Sequence, residues 1–278
     1  MMKSYNPLLS VIITSFNVEK YVEDTILSVL NQTYGNFEII VVDDSSEDKT
    51  LEIVEKLSQA DKRIKFYRIE HAGRPSVPRN FGISKAAGEL IAFLDGDDLW
   101  EKYKLKEQVS FLEKHKDLIL VYSVSVTYGV NILSSQYEVL PLLCKAARSY
   151  DDLISKGNSI TCSSVLVKKF FLEKMNGFDE DPQLAIEDYD LWIRLSQLGN
   201  FGFIPRVHVY YRVHPVQFSG NWEIKQKRLE YLAAKRGLTL PNYKFIRNRG
   251  FLFMVLRSMI HYATYLWLEI LKTFNVEY

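Results

Sequence analysis

Cysteine is scarce in this chain. Cys144 and Cys162 are the only two, and they form no CxxC pair. A disulfide framework and a thiolate zinc site are thereby excluded as organising features. Reduced thiols in a cytoplasmic protein are the expectation. Excess charge is also missing. The net charge is +1 over 278 residues, which gives no general case for nucleic-acid binding. No GxGxxG follows the first apolar run, and no GxxxxGK[ST] occurs anywhere. A dinucleotide fingerprint and a glycine-rich phosphate loop are therefore both ruled out. The N-terminal stretch MMKSYNPLLSVIITSFN carries a single Lys, a short apolar run and no cleavage pattern. It reads neither as a secretion signal nor as a membrane span.

What is present is a strand–helix alternation. Leu8–Ile13, Phe37–Val42, Ile64–Ile69 and Leu90–Leu94 are short, apolar and rich in β-branched residues. They predict buried parallel strands. Between them, Val18–Thr33, Glu47–Ala60 and Val77–Ala87 carry helical periodicity. The order predicts an α/β fold with a mostly parallel, doubly wound sheet and helices on both faces. Further on, Lys102–His115 reads as a helix, Leu118–Tyr128 and Thr161–Val167 as strands, Phe170–Asn176 as a short helix, Glu187–Leu198 as a helix and Phe201–Val213 as a strand. No element is assigned firmly within 129–158.

Polar clusters close three of the strands: Thr14 to Asn17, Asp43 with Asp44, and Asp95 to Asp98. Ligands bind outside the carboxyl ends of such strands, so the clusters converge on one rim. The last is Asp-Gly-Asp-Asp. Three carboxylates in four residues repel one another unless a cation lies among them. Oxygen ligands suit Mg²⁺ or Mn²⁺. Asp95 and Asp97 face the same way in an extended chain, and Gly96 would let a ligand approach the backbone. The competing reading is an ordinary acidic turn.

The pieces SVIITSFN (10–17), VVDDSSEDKT (41–50), RPSVPRNFGI (74–83), FLDGDDLW (93–100), GFDED (177–181), IEDYDLWIRL (186–195) and YYRVHP (210–215) follow one another in an order that resembles the family 2 glycosyltransferases. These are inverting enzymes of GT-A fold that use nucleoside-diphosphate sugars. The resemblance spans about residues 8–215. It implies nucleotide contacts from Thr14, Phe16, Asn17, Asp43, Asp44, Arg79, Asp95 and Gly96, with Asp44 accepting from a uracil-type base. It implies Mn²⁺ or Mg²⁺ bound at Asp95 and Asp97, the ion bridging the donor diphosphate, with Asp98 as the alternative contact. Asp188 matches the catalytic base, with Glu187 and Asp190 as the alternatives if the register slips. Tyr211, Arg212 and His214 match a motif near the diphosphate. The QxxRW motif of processive members is absent, which implies addition of a single sugar. The resulting expectation is metal-dependent transfer from a UDP-sugar to a hydroxyl of a glycan or lipid-linked acceptor in surface polysaccharide synthesis. The competing functions are a nucleotidyltransferase and a catalytically silent sugar-nucleotide or glycan-binding protein.

The expected organisation is a catalytic domain over 1–221 and a helical region over 222–278. The second region holds 10 Lys and Arg against 4 Glu. Within it, Phe251–Leu271 is apolar but interrupted by Arg257, His261 and Glu269. Basic residues beside an apolar face suit an anionic membrane surface. A peripheral position on the inner face of the cell membrane is the expectation. The competing reading packs this segment on the catalytic domain or in a homodimer seam.

Overall fold

The computed structural model of the chain describes residues 5–129, 146–213 and 222–241. Four strands and three helices open the fold: β1 (Leu9–Ser15), α1 (Val22–Leu30), β2 (Phe37–Asp43), α2 (Thr50–Ala60), β3 (Ile64–Arg68), α3 (Ser76–Lys85) and β4 (Leu90–Asp95). The chain continues through β5 (Leu99–Trp100), α4 (Lys104–Lys114), β6 (Leu120–Gly129), α5 (Tyr150–Lys156), β7 (Leu166–Lys168), α6 (Lys169–Lys174), α7 (Glu187–Ser196), β8 (Phe201–Val213) and α8 (Trp222–Arg236).

Among the described residues the strands form one sheet in the order β3-β2-β1-β4-β7-β6-β8-β5. The pairs β3–β2, β2–β1, β1–β4 and β6–β8 are parallel, whereas β7 runs antiparallel to both neighbours and β5 antiparallel to β8. The fold is thus a mixed, mostly parallel GT-A-like sheet. β1 is buried along nearly its whole length because both of its faces are covered, and its middle residues Val11, Ile12 and Ile13 are all apolar. Ile12, Ile40, Ile91 and Phe93 enter a core shared with Trp192 of α7 and Leu229 and Leu232 of α8. The alternating Val11, Ile13, Ile39, Val41 and Leu94 enter a second core under α1 and α4. This is the period of two that a strand imposes. At Gly82 a Cβ would come within 2.5 Å of Ile12 Cγ2, so the glycine sets how closely α3 lies on β1.

Register places the polar strand ends side by side. Ser15 pairs with Asp43 and Thr14 with Asp95.

Several elements differ from the sequence expectation. Helix α1 starts four residues late, because 18–21 form a turn in which Tyr21 and Val22 both donate to the Val18 carbonyl. The strand expected over 161–167 splits into a 3₁₀ turn, Cys162–Ser164, and the short β7. Ser164 turns its hydroxyl back to the Thr161 carbonyl at 2.7 Å, the local competition serine offers to a sheet ladder. α5 lies within the unassigned stretch. It begins at Ser149, whose hydroxyl accepts the Asp152 N–H, and ends at Gly157 with φ of 84°. Among the described residues no helix is long and apolar enough to cross a membrane. The run Phe251–Leu271, with Cys144 and His214, lies outside the described residues.

Candidate active site

The rim at the ends of β1, β2 and β4 is held together by its own polar groups. Asp43 is fully buried. Its carboxylate accepts from the Ser15 hydroxyl at 3.0 Å, the Ser46 hydroxyl at 2.5 Å and the Ser46 N–H at 2.8 Å. Asp43 therefore braces the β1–β2 rim from inside instead of presenting its oxygens to a ligand. Asn17 has φ of 51°, a left-handed conformation that asparagine tolerates. Its side-chain oxygen accepts from Glu47 N–H at 2.9 Å, and its own N–H donates to the Ser46 hydroxyl at 2.9 Å. Phe16, between these anchors, is 45% exposed and stacks on His71 with ring centroids 4.5 Å apart.

Asp44 draws the loop after β3 onto the same rim. Its carboxylate accepts the N–H of Ala72 at 2.6 Å and of Gly73 at 3.1 Å. His71 Nδ1 lies 3.0 Å from the Asp44 carbonyl and 3.2 Å from Oδ2. His71 was not anticipated from sequence; no motif marks it. The available signal was its place, just beyond the carboxyl end of the third strand. Phe16 and His71 together form an exposed aromatic step beside Asp44.

The acidic turn follows β4. Gly96 is buried and donates its N–H to the Thr14 carbonyl at 2.9 Å; a Cβ there would sit 2.8 Å from that oxygen. The glycine admits the neighbouring strand, a packing reason for its presence beside the expected ligand approach. Thr25 clamps the turn from α1, its hydroxyl lying 3.0 Å from the Gly96 carbonyl and 2.9 Å from that of Asp98. The three carboxylates then diverge. Asp98 is fully buried, accepts from the Ser163 hydroxyl at 2.6 Å and from Arg212 N–H at 3.0 Å, and is pushed well above the usual carboxylate range by burial and by Asp97 and Asp95. Asp95 and Asp97 stay partly exposed. Hydrogen bonds to the Asp95 carboxylate fall on Oδ1: Arg79 Nη2 at 2.8 Å and the Thr14 hydroxyl at 3.5 Å. Arg212 crosses from β8, donating Nε to the Asp97 carbonyl at 2.8 Å and lying over the Tyr21 ring.

Arg79 is buried and joins this turn to α7. While Nη2 holds Asp95, Nη1 donates to Glu187 at 2.6 Å, a residue 108 positions away. Arg79, expected from the sequence as a nucleotide contact, here bridges two acidic segments. In the first turn of α7, Glu187 is thus committed to Arg79. Asp190 is fully buried and committed to Arg194 and Arg236. Asp188 lies between them, partly exposed, accepting the Tyr189 N–H at 2.6 Å. Burial, then the Glu187 charge, push its carboxyl up to about 7, against the pull of Arg79. The Cys162 thiol is buried near these groups and raised by that burial.

Among the described residues no group of three or more His, Cys, Asp or Glu side chains converges as a metal cage. Two partly exposed hard carboxylates at one turn nevertheless fit the way Mg²⁺ and Mn²⁺ are held beside a diphosphate, with one or two carboxylates and the rest of the shell from phosphate and water.

A parallel rim with an aromatic step at one end, an acidic turn at its centre and a carboxylate near neutrality beyond it belongs to the GT-A type of nucleotide-sugar transferase. The family model of glycosyl transferase family 2 matches residues 10–171. The chain is 31% identical over 231 residues to the putative teichuronic acid biosynthesis glycosyltransferase TuaG of Bacillus subtilis, covering 81% of this chain and 87% of that one. It is 30% identical over 215 residues to the UDP-Glc:alpha-D-GlcNAc-diphosphoundecaprenol beta-1,3-glucosyltransferase WfaP of Escherichia coli, covering 77% and 80%. The chain belongs to glycosyl transferase family 2. Solved structures share the fold. TarS 1-349 of S. aureus in complex with UDP-GlcNAc superposes with a TM-score of 0.64 at 22% identity, over 82% of this chain and 66% of that chain. The mannosyltransferase PcManGT of Pyrobaculum calidifontis, in complex with GDP-Man and Mn2+, gives 0.63 at 21% identity, over 84% and 65%. The chain thus spans just under two thirds of each of those chains.

Proposed function

We propose that this chain transfers one sugar from a UDP-sugar, with inversion, to a hydroxyl of a lipid-linked glycan, with Asp188 as general base. The observation that carries the reading is the division of labour in α7. Of its three first-turn carboxylates, two are held by arginines, and the one between them is partly exposed and pushed up to about 7. A base near neutrality suits removal of a hydroxyl proton at the operating pH. Asp188 takes the acceptor proton as that oxygen bonds to the anomeric carbon and the bond to the diphosphate breaks. Single displacement from the far side inverts the centre and needs no second catalytic carboxylate, unlike a retaining glycosidase.

Asp95 and Asp97 would hold Mg²⁺ or Mn²⁺, which as a Lewis acid offsets the charge gathering on the departing diphosphate. Phe16 and His71 offer a stacking face for the base, and Asp44 an acceptor beside it. The reading draws support from relatives whose names specify UDP-Glc and a diphosphoundecaprenol acceptor, and from a neighbour that holds UDP-GlcNAc. The basic, apolar segment after residue 241 suits a peripheral contact with the membrane carrying such an acceptor.

The test is UDP release from a panel of UDP- and GDP-sugars with Mn²⁺, with and without bacterial lipid extract. Wild type should turn over a UDP-sugar, faster with lipid, and Asp188→Asn should fall by about 10²-fold with UDP affinity kept. Full Asp188→Asn turnover would remove the base assignment. Preference for a GDP-sugar would remove the donor. No acceleration by extract would remove the lipid-linked acceptor.

A further inference from the structure

The last described helix, α8, lies, like α7, beyond the residues matched by the family model, and it grips the helix that carries Asp188. Its Arg236 donates Nε to Asp190 Oδ1 at 2.7 Å and Nη2 to Asp190 Oδ2 at 3.1 Å, and the same Nη2 reaches Asp179 at 2.6 Å. Lys235 meets Asp179 at 2.8 Å and Asp181 at 2.7 Å, and Tyr231 donates its hydroxyl to Asp181 at 2.6 Å. Asp190 also accepts from Arg194 Nε at 2.7 Å, whose remaining nitrogens hold the carbonyls of Met175 and Gly177. Beneath this polar seam Leu229 and Leu232 are buried in the core that contains Trp192.

Three aspartates and three cations therefore knot α8, α7 and the 177–181 loop together. Asp190 is fully buried, and a buried carboxylate held by two guanidinium groups has little freedom to shift. Arg79 fixes Glu187, in the same turn of α7, at 2.6 Å. Asp188 thus sits between two neighbours, one pinned by α3 and the other by α8.

We propose that Arg236 is a positioning residue: through Asp190 it sets the placement of Asp188, so that α8 serves the chemical step and not donor binding. This rests on the reading of Asp188 as the base. Such a residue should act on kcat, since a misplaced base costs rate while the donor site, at the ends of β1, β2 and β4, stays as it was.

The experiment compares full-length wild type, Arg236→Ala and Arg236→Lys. Hydrogen exchange over 186–196, UDP calorimetry with Mn²⁺, and UDP release from UDP-glucose and UDP-N-acetylglucosamine are measured. Arg236→Ala should speed exchange in α7 by about tenfold and leave the β1–β4 segments unchanged. It should lower kcat about tenfold or more, with donor KM and UDP affinity within about twofold of wild type. Lysine should recover part of both effects. In an Asp188→Asn background, Arg236→Ala should lower turnover by less than about twofold, because the group it places is gone. Unchanged exchange in α7 overturns the proposal. So does exchange rising throughout the chain together with lost UDP affinity, which marks general loosening, or an equal loss of turnover in both backgrounds. Full activity in Asp188→Asn alone would instead remove the base assignment, and the exchange comparison would still decide whether Arg236 holds α7.

Discussion

Asp188→Asn should make the protein slower and, above neutral pH, more stable. The unfolded carboxyl titrates near ~3.9, whereas burial and Glu187 hold the folded one at about 7. Between those values the folded state binds the proton and the unfolded state does not, so stability falls as pH rises through the window and levels off above it. A three-unit gap corresponds to roughly 4 kcal/mol, of which ~3 kcal/mol develops between about pH 4.5 and 8. Asp188 is partly exposed, and solvent screening brings the expected share to roughly 1.5 kcal/mol. At about 2–4 °C per kcal/mol for a chain of this size, the melting temperature of Asp188→Asn relative to wild type should rise by ~3–6 °C from pH 4.5 to pH 8. The assay is calorimetric or fluorescence melting of both proteins in EDTA without nucleotide. His208, pushed down to about 3 by burial, Lys104 and Arg206, gives wild-type stability the opposite slope over much of this range. It is common to both proteins and cancels in the difference. The catalytic arm has the same origin: kcat/KM should rise with pH and reach half its plateau near 7. A melting difference that is the same at both pH values refutes the claim that the folded environment holds the proton.

Arg79→Met should destabilise by about 3 kcal/mol or more, read as a lower urea midpoint, since it strands Glu187 in the core; adding Glu187→Gln should recover part of the loss. Asp97→Ala should weaken UDP binding in Mn²⁺ by at least about tenfold and make it insensitive to EDTA, and unchanged calorimetric affinity would remove the metal from the donor site. Lys104 is fully buried over the Trp100 ring, with Nζ on Gln108 at 2.9 Å, and burial drives its pKa well down. Below the ordinary lysine pKa of ~10.4 the unfolded chain therefore takes up this proton more readily than the folded one. Stability should climb as pH rises toward that value, by at most ~1.4 kcal/mol per unit, and Lys104→Met should flatten the climb in denaturant titrations.

The first half of the fold was legible because its physics is local. The central strands β1, β2 and β4 are covered on both faces and so carry apolar runs, the helices between carry their own period, and only the partly exposed edge strand β3 is mixed. The acidic turn was legible for the same reason, as three like charges within four residues demand an explanation. Tertiary partnership was less visible. Asp43 and Asp44 are adjacent and chemically identical, yet one is sealed by Ser15 and Ser46 while the other gathers a distant loop. Asp97 and Asp98 divide in the same way, because Ser163 and Arg212 arrive from 65 and 114 residues away. Among Asp188, Glu187 and Asp190, the sequence shows nothing of the ion pairs that Arg79 makes with Glu187 and Arg236 with Asp190. Helical spacing alone does not say which carboxylate a remote arginine selects. His71 escaped notice because only its stack on Phe16 gives it meaning.

The buried Asp98 has a consequence for how the molecule is made. Its carboxylate waits on Ser163 and on the backbone N–H of Arg212, and two-residue β5 pairs with Tyr210 and Val209. A chain emerging from the ribosome has strands β1 to β4, with their aromatic step, once residue 95 is out. The acidic turn beside them is already clamped by Thr25, but its buried Asp98 gains Ser163 only 65 residues later and the Arg212 N–H only 114 residues later. Nascent chains halted before residue 200 should accordingly display an unfinished rim, and the last strand of the described sheet to leave the ribosome is the one that locks the acidic turn.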